Sequence, residues 1–480
     1  MTEHLPPGFE QLSGFRSDAS VLDGDGAGAA PTEAELAQPI VAPGDDALLP
    51  FGIEYQAPWD LPADGLARHA RAQVKALACA GLPVVLRRLN RPKMLIDDDE
   101  GRLQIPNLTP AEREAVLAQI AINREVGYLR DTSVGSVPIA IRQLVIHNST
   151  FLENTVVPAG ARMSGFADEL RVYRSTIVYL PWERTTVSPA IVEVLNRCAE
   201  VWVHGEWCVD IFKRARVERV YAIPMPYDPS TSLACRISAP RGSETVPEGK
   251  RFYAIGKWEP RKNYDALIGA FLLEFGPKER ASLFLKTHEW GSWEHYPSVS
   301  ASIEKWLADP VVQAKGWTRE NYSKRLRVVS KKIPEEKIAQ LHRDNNIYIT
   351  CSHAEAWDIP AFDARCAGNR MVYTGWGGPA DFASPQDVRI WTDRLGPSDH
   401  GAMGPVHPGY GWEPDAQWAT YPIDWLRAAM RAAEPPKRRI HPPEFYRKYG
   451  LGPVGAMMAK RIEERFPKVY EKLVETGGFG

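Results

Sequence analysis

The chain has 480 residues, 44% of them hydrophobic, with 58 basic and 60 acidic side chains and a formal net charge of −2. That length suits two ordinary domains with a core each, and the near-neutral balance excludes a global attraction to nucleic acid or to an anionic membrane surface. The six cysteines, at 79, 198, 208, 235, 351 and 366, show neither a CxxC pair nor metal-ligand spacing, and read as reduced thiols. No run reaches the ~18 apolar residues that a membrane span needs, and the first residues carry no basic-then-apolar leader, so a cytoplasmic location is expected.

Residues 1–48 are acidic and rich in Gly, Ala and Pro, with DGDGAGAAP at 23–31, and read as a tail that buries little apolar surface. From Phe51, FGIEYQAPW reads as a strand, LARHARAQVKALACAG as a helix closed by Gly81, and PVVLRRL as the next strand, which together make a βαβ unit. Gly65, in the loop before that helix, either admits a substrate close to the backbone or simply turns the chain. MLIDDDEGRLQIP, 94–106, reads as a hairpin with Asp97, Asp98 and Asp99 near its tip, not as a metal-binding DxD. TPAEREAVLAQIAINREVG opens on a Thr109 cap with Glu112 and Glu114 in its first turns and predicts a helix. QLVIHNST predicts a buried strand that ends at His147.

Further on, STIVYLPWE predicts a strand with Pro181, Trp182 and Glu183 at its carboxyl end, where Glu183 is a candidate to face an acceptor. Pro189 opens a helix, AEVWVHGEW gives a strand and loop, and VERVYAIP gives another strand before a polar Pro/Gly linker at about 229–248. The second half opens with RFYAIGKWEPRKNYDALIGAFLLEF: a buried strand, a Gly256 turn, and an apolar helix with Lys257, Arg261 and Lys262 at its mouth. Three cations at a helix N-terminus suit a phosphate. ASLFLKTHEW predicts a strand, 291–323 a helical insert, and RLRVVSKKIPEEKIAQLHRDNNIYITCSH a strand, loop, helix and strand. The loop that follows carries Glu355, and the next helix has Pro360 in its first turn, Asp363 inside it and Gly368 at its end. Two acids thus flank one helix entrance beyond the carboxyl end of a parallel strand, where ligands of open α/β sheets sit. The final AMMAKRIEERFPKVYEKLVE predicts one helix. Just before it, Gly450, Gly452 and Gly455 spell GxGxxG, but the preceding FYRKY looks helical, so this is not a dinucleotide fingerprint.

The stretch Glu355, Trp357, Pro360, Asp363, Gly368 and Gly377-Gly378 resembles the Glu-x7-Glu signature of retaining GT-B glycosyltransferases, in the broad group that includes glycosyltransferase family 4. Two positions depart from it: Ala356 and Asp358 stand where glycines are common. The resemblance implies an α/β fold of two Rossmann-like, doubly wound domains facing a cleft: an acceptor-side domain at 49–235, a nucleotide-sugar domain at 236–454, and a C-terminal helix at 455–480 crossing back to the first. It implies that Glu355 holds hydroxyls of the donor sugar, Asp363 the ribose, and Lys257, Arg261 and Lys262 the diphosphate, while His147 reaches the sugar from across the cleft. Trp357, Asp358, Ile359, Gly65 and Glu183 complete the expected substrate-binding set, with Ser330 to Ile333 framing the base. The implied activity is hexosyl transfer from a UDP- or GDP-linked sugar to a hydroxyl, with retention and with neither metal nor other cofactor. The acceptor stays open among saccharide, lipid-linked glycan, protein, small molecule and modified DNA, the last suggested only by the basic runs KRLRVVSKK and PKRRIHPPEFYRK. An epimerase, a phosphorylase and a non-catalytic sugar-nucleotide binder are the competing readings.

Overall fold

The computed structural model describes residues 52–57, 65–88, 96–97, 103–104, 139–143, 155–156, 162–163, 175–227, 248–289, 296–331, 333–392, 394–397, 416–437 and 443–477. Two six-stranded sheets, each parallel throughout, account for most of its strands. The expected doubly wound α/β class holds.

The first sheet contains β1 (Ile53–Ala57), β2 (Val84–Arg88), β3 (Ile139–Gln143), β4 (Thr176–Leu180), β5 (Glu200–Val203) and β6 (Val220–Ala222), in the order β2-β1-β3-β4-β5-β6. Its strands β4 and β5 are apolar at successive positions because both faces are covered. Ile177 and Tyr179 of β4 face a layer made with helix α1 (Gly65–Cys79), while Val178 and Leu180 face one made with α2 (Pro189–Arg197) and α3 (Glu206–Arg214). Ser188 caps α2 by accepting from the Ile191 N–H, and Pro189 fills the first helical position, where a missing N–H costs nothing.

The second sheet contains β7 (Lys250–Ile255), β8 (Ala281–Lys286), β9 (Leu326–Val329), β10 (Ile347–Thr350), β11 (Arg370–Thr374) and β12 (Val388–Ile390), in the order β9-β8-β7-β10-β11-β12. Helix α4 (Tyr264–Glu274) follows β7 and is apolar nearly all round, as a helix sealed between a sheet and an outer layer must be. Helix α5 (Glu335–Asp344) leads into β10, and α6 (Ile359–Cys366) leads into β11. Helix α7 (Ile423–Ala432) packs its Leu426 and Met430 into the same core as α4.

Some expectations are corrected or fall outside these residues. A strand is described at Ile139–Gln143; of QLVIHNST only Gln143 is among the described residues, so the strand expected there and His147 lie outside them, as do the N-terminal tail and the helix expected from Thr109. The single C-terminal helix is two, α8 (Leu451–Arg465) and α9 (Pro467–Gly477), because Pro467 has no N–H to continue the ladder. Helix α8 buries Val454, Met458 and Ile462 against the first sheet's core. Gly455 explains itself there: a Cβ on it would lie 2.0 Å from the Ala76 carbonyl oxygen, so it serves a close crossing of α8 and α1. The short antiparallel pair Ile96–Asp97 with Leu103–Gln104 agrees with the expected hairpin.

Candidate functional site

The second sheet reverses its winding between β7 and β10, its first and fourth strands, which lie side by side. The loops leaving two such strands turn to helices on opposite faces, and the crevice between them is where ligands of this architecture bind. Lys262 leaves the end of β7 and Glu355 the end of β10.

The β7 loop is shaped by two backbone requirements. Gly256 has no room for a side chain, since a Cβ would sit 2.4 Å from the Tyr264 hydroxyl. A 3₁₀ turn, Pro260–Lys262, then meets Asn263 in the left-handed region at φ 57°, a conformation Asn tolerates, and α4 starts from that reversal. The β10 loop is tied to it by the His353 N–H donating to the Arg261 carbonyl at 2.8 Å. The paired glycines then let the strand end after β11 lie against the loop: the Gly378 N–H donates to the Glu355 carbonyl at 2.9 Å, and a Cβ on Gly378 would fall 2.2 Å from the Ala356 oxygen.

These loops bring four of the expected side chains into one cluster. Lys262 Nζ donates to Glu355 Oε1, and Arg261 Nη1 lies 3.1 Å from Glu355 Oε2. Arg261 also meets Glu183 Oε1 at 3.0 Å, Glu259 Oε1 at 2.7 Å and the Ala354 carbonyl at 2.7 Å. Glu183 follows β4 of the first sheet, so this contact joins the carboxyl-end loops of both sheets. Two cations face three carboxylates. Burial pushes the Glu355 carboxyl up, but Lys262 and then Arg261 outweigh it and hold it at about 2, so Glu355 is a firm anion.

The other candidates are placed differently. Asp358 stands at φ 66°, a conformation that glycine adopts freely and other residues seldom do. Its carboxylate turns back to cap α6 through the Ala361 N–H at 3.3 Å. Burial, then the nearby Glu355, push it up to about 6. Trp357 is 2% exposed, packed against Phe362, Phe382 and Tyr449 in an aromatic core instead of presenting an open stacking face. Ile359 and Gly65 are the first residues of α6 and α1, and Lys257 is exposed on the turn after β7. Asp363 is held by a residue that sequence reasoning missed: Arg68 of α1 grips it with two bonds of 3.0 and 3.1 Å, one to each oxygen. The missed groups His69 and His204 lie in the same seam, with ring centroids 4.8 Å apart. Asp381 reaches the N-terminus of α3 from across it, accepting from the Glu206 N–H, and Gly205 makes way, since a Cβ there would lie 1.7 Å from Asp381 Oδ2. The signal for Arg68, His69 and Gln73 was present, as polar residues on the otherwise apolar inner stripe of a helix.

No family model matches the chain, and no curated protein matches it in sequence. Solved structures similar to it include alpha,alpha-trehalose 6-phosphate synthase from Burkholderia multivorans, at 12% identity and a TM-score of 0.48 over 87% of this chain and 99% of that one. A trehalose-6-phosphate protein from E. coli bound with UDP-2-fluoro glucose matches at 11% identity and a TM-score of 0.47, covering 89% of this chain and 99% of the other. Sucrose-phosphate synthase from Thermosynechococcus elongatus matches at 13% identity and a TM-score of 0.43, covering 89% and 97%. Likenesses at this level do not decide what the chain does.

Proposed function

We propose that this chain is a GT-B glycosyltransferase that moves a sugar from a nucleotide diphosphate to a hydroxyl acceptor, with retention and without a metal. The observation that carries the reading is the convergence of Lys262 and Arg261 on Glu355 at the reversal point of a parallel sheet. Glycosyl transfer from such a donor develops negative charge on the departing diphosphate and positive character at the sugar carbon. Lys262, Arg261 and the positive end of α6 answer the first, and preorganised groups of this kind are worth about 3 kcal/mol each in comparable sites. Glu355, anionic at any working pH, accepts hydrogen bonds from the sugar hydroxyls and fixes its orientation. Asp363 takes the ribose, and Arg68 gives way to it.

One consequence follows from the charge count around Arg261. Its guanidinium is already answered by Glu183, Glu259 and Glu355, so an entering diphosphate must replace a carboxylate. Glu183, the most exposed of the three at 35% and the one from the opposite sheet, is the group that yields.

The test is a screen of UDP-, GDP- and ADP-linked sugars for release of the nucleoside diphosphate, repeated with Lys262→Ala. Release by the parent and a loss of about 100-fold or more in the variant is the expected result. Equal release by both removes Lys262 from the leaving-group site, and sugar phosphate made without any nucleotide donor moves the assignment to a phosphorylase.

A further inference from the structure

The seam holds a second group of side chains that the charged cluster does not use. His69 and Gln73 lie one turn apart on the same face of α1, His204 follows β5, and Trp357 comes from the loop after β10. The His69 and His204 rings stack at 4.8 Å, and His204 and Trp357 are 6.1 Å apart, centroid to centroid. All four residues are buried, His69 at 1% and His204 at 6% exposure. Among the described residues, His69 Nδ1 and Nε2, Gln73 Nε2, His204 Nδ1 and Trp357 Nε1 have no hydrogen-bond partner in the protein. Native interiors rarely leave such atoms unanswered, and here five of them gather between two sheets.

We propose that His69, Gln73, His204 and Trp357 form a binding site for a neutral, hydroxyl-bearing ring such as a pyranose, opened when the two halves part. The chemistry selects that class. Burial keeps both imidazoles neutral, with His204 pushed down to about 3; His69 then offers one donor and one acceptor, as a hydroxyl does, and His204, whose N–H goes to the Leu180 backbone, offers the Nδ1 acceptor. Gln73 and Trp357 add donors, while the Tyr179 ring, 4.6 Å from His69, supplies an apolar face for the C–H side of a sugar. The two neutral imidazoles hold no charge to attract an anion, and the neighbouring Arg68 is paired with Asp363 while the seam is closed. That ion pair, one residue along the chain from His69, closes the seam beside the site. The site claim stands on the unpaired atoms; only the name acceptor site rests on the glycosyl-transfer reading.

Thermal unfolding of the full chain tests it, with methyl α-D-glucopyranoside in excess as the probe. His69→Leu removes a ring whose nitrogens make no bond, so its midpoint is expected at or above the parent's; the glucoside is expected to raise the parent's midpoint by about 2 °C and leave the variant's unmoved. A variant midpoint below the parent's overturns the proposal, because it makes the ring a bonded structural group. The same sugar shift in both proteins, or none in the parent, also overturns it. His204→Gln, which keeps a donor for the Leu180 backbone, is a second variant, expected to lose the same sugar shift; a retained shift overturns the proposal. UDP, GDP and ADP are tested in parallel: a parent that answers the glucoside and no nucleotide keeps this site and loses the donor reading, and one that answers a nucleotide and not the glucoside loses this site alone.

Discussion

The two sheets are built from the same number of parallel strands, yet the loops at their carboxyl ends carry opposite kinds of chemistry. In the second, the first and fourth strands are neighbours, and their loops pool Arg261, Lys262 and Glu355 in one crevice. In the first, the order begins β2-β1-β3, and what its loops and first helix bring to the seam is chiefly neutral: His69, Gln73 and His204. Two of its charges there, Arg68 and Glu183, are each committed to a partner on the other half. The parallel sheet supplies an address, and the residues on its crossovers decide what is delivered there. In the reading above, charge development and the donor's hydroxyls are handled by one half and the acceptor by the other.

Variants of both halves break or sharpen that division. The largest effect is expected from Lys262→Ala, about 100-fold or more in transfer, with the unfolding midpoint little changed because Arg261 still pairs Glu355. An inactive protein that is also unfolded would mean the charged half is structural first. Next, Arg68→Met leaves the nearly buried Asp363 carboxylate without its partner and is expected to cost about 3 kcal/mol in urea unfolding. A cost under ~0.5 kcal/mol would show that this ion pair contributes nothing to holding the halves together.

Gly455→Val drives carbon into the Ala76 carbonyl and is expected to cost about 1–3 kcal/mol without altering nucleotide affinity, since it touches only the first half's core. Asp358→Asn keeps a residue that tolerates φ 66° and can cap α6. Because burial raises the Asp358 pKa to about 6, the folded state holds its proton more tightly than the unfolded one. Its contribution to stability is therefore present below the ordinary carboxyl range and is lost as pH climbs toward 6. The variant is expected to flatten that decline and to be about 1 kcal/mol more stable than the parent at pH 7, read by unfolding across pH. The smallest effect is expected from Glu183→Gln, which removes the competing carboxylate and should tighten UDP binding about threefold by calorimetry. Weaker binding would show that Glu183 assists the nucleotide instead of competing with it.

Much of the fold was legible because strands buried on both faces announce themselves as apolar runs, and Gly256, Pro260 and Gly368 mark the turns between them. The charged cluster was legible for the same reason: Lys262 and Glu355 each follow such a run directly. Arg68 and His69 were legible only as polar residues on an apolar helix stripe, and His204 not at all, because what makes them candidates is a contact between distant segments that no local pattern encodes. Trp357, expected among the substrate-binding residues, packs against Phe362 and Phe382, a contact that no local pattern announces. Asp358 stands where the resemblance leads one to expect glycine, and its positive φ and its cap on α6 account for it.

The return of α8 and α9 to the first sheet bears on how the molecule is made. Met458, Ile462 and Leu473 fill the same core as Ile53 and Tyr179, hundreds of positions upstream. On the ribosome, the half that emerges first must therefore wait, with that face uncovered, until the last half has been synthesised. A chain halted before Leu451 would expose a greasy flank on its older half, a natural handle for chaperones and for quality-control proteases.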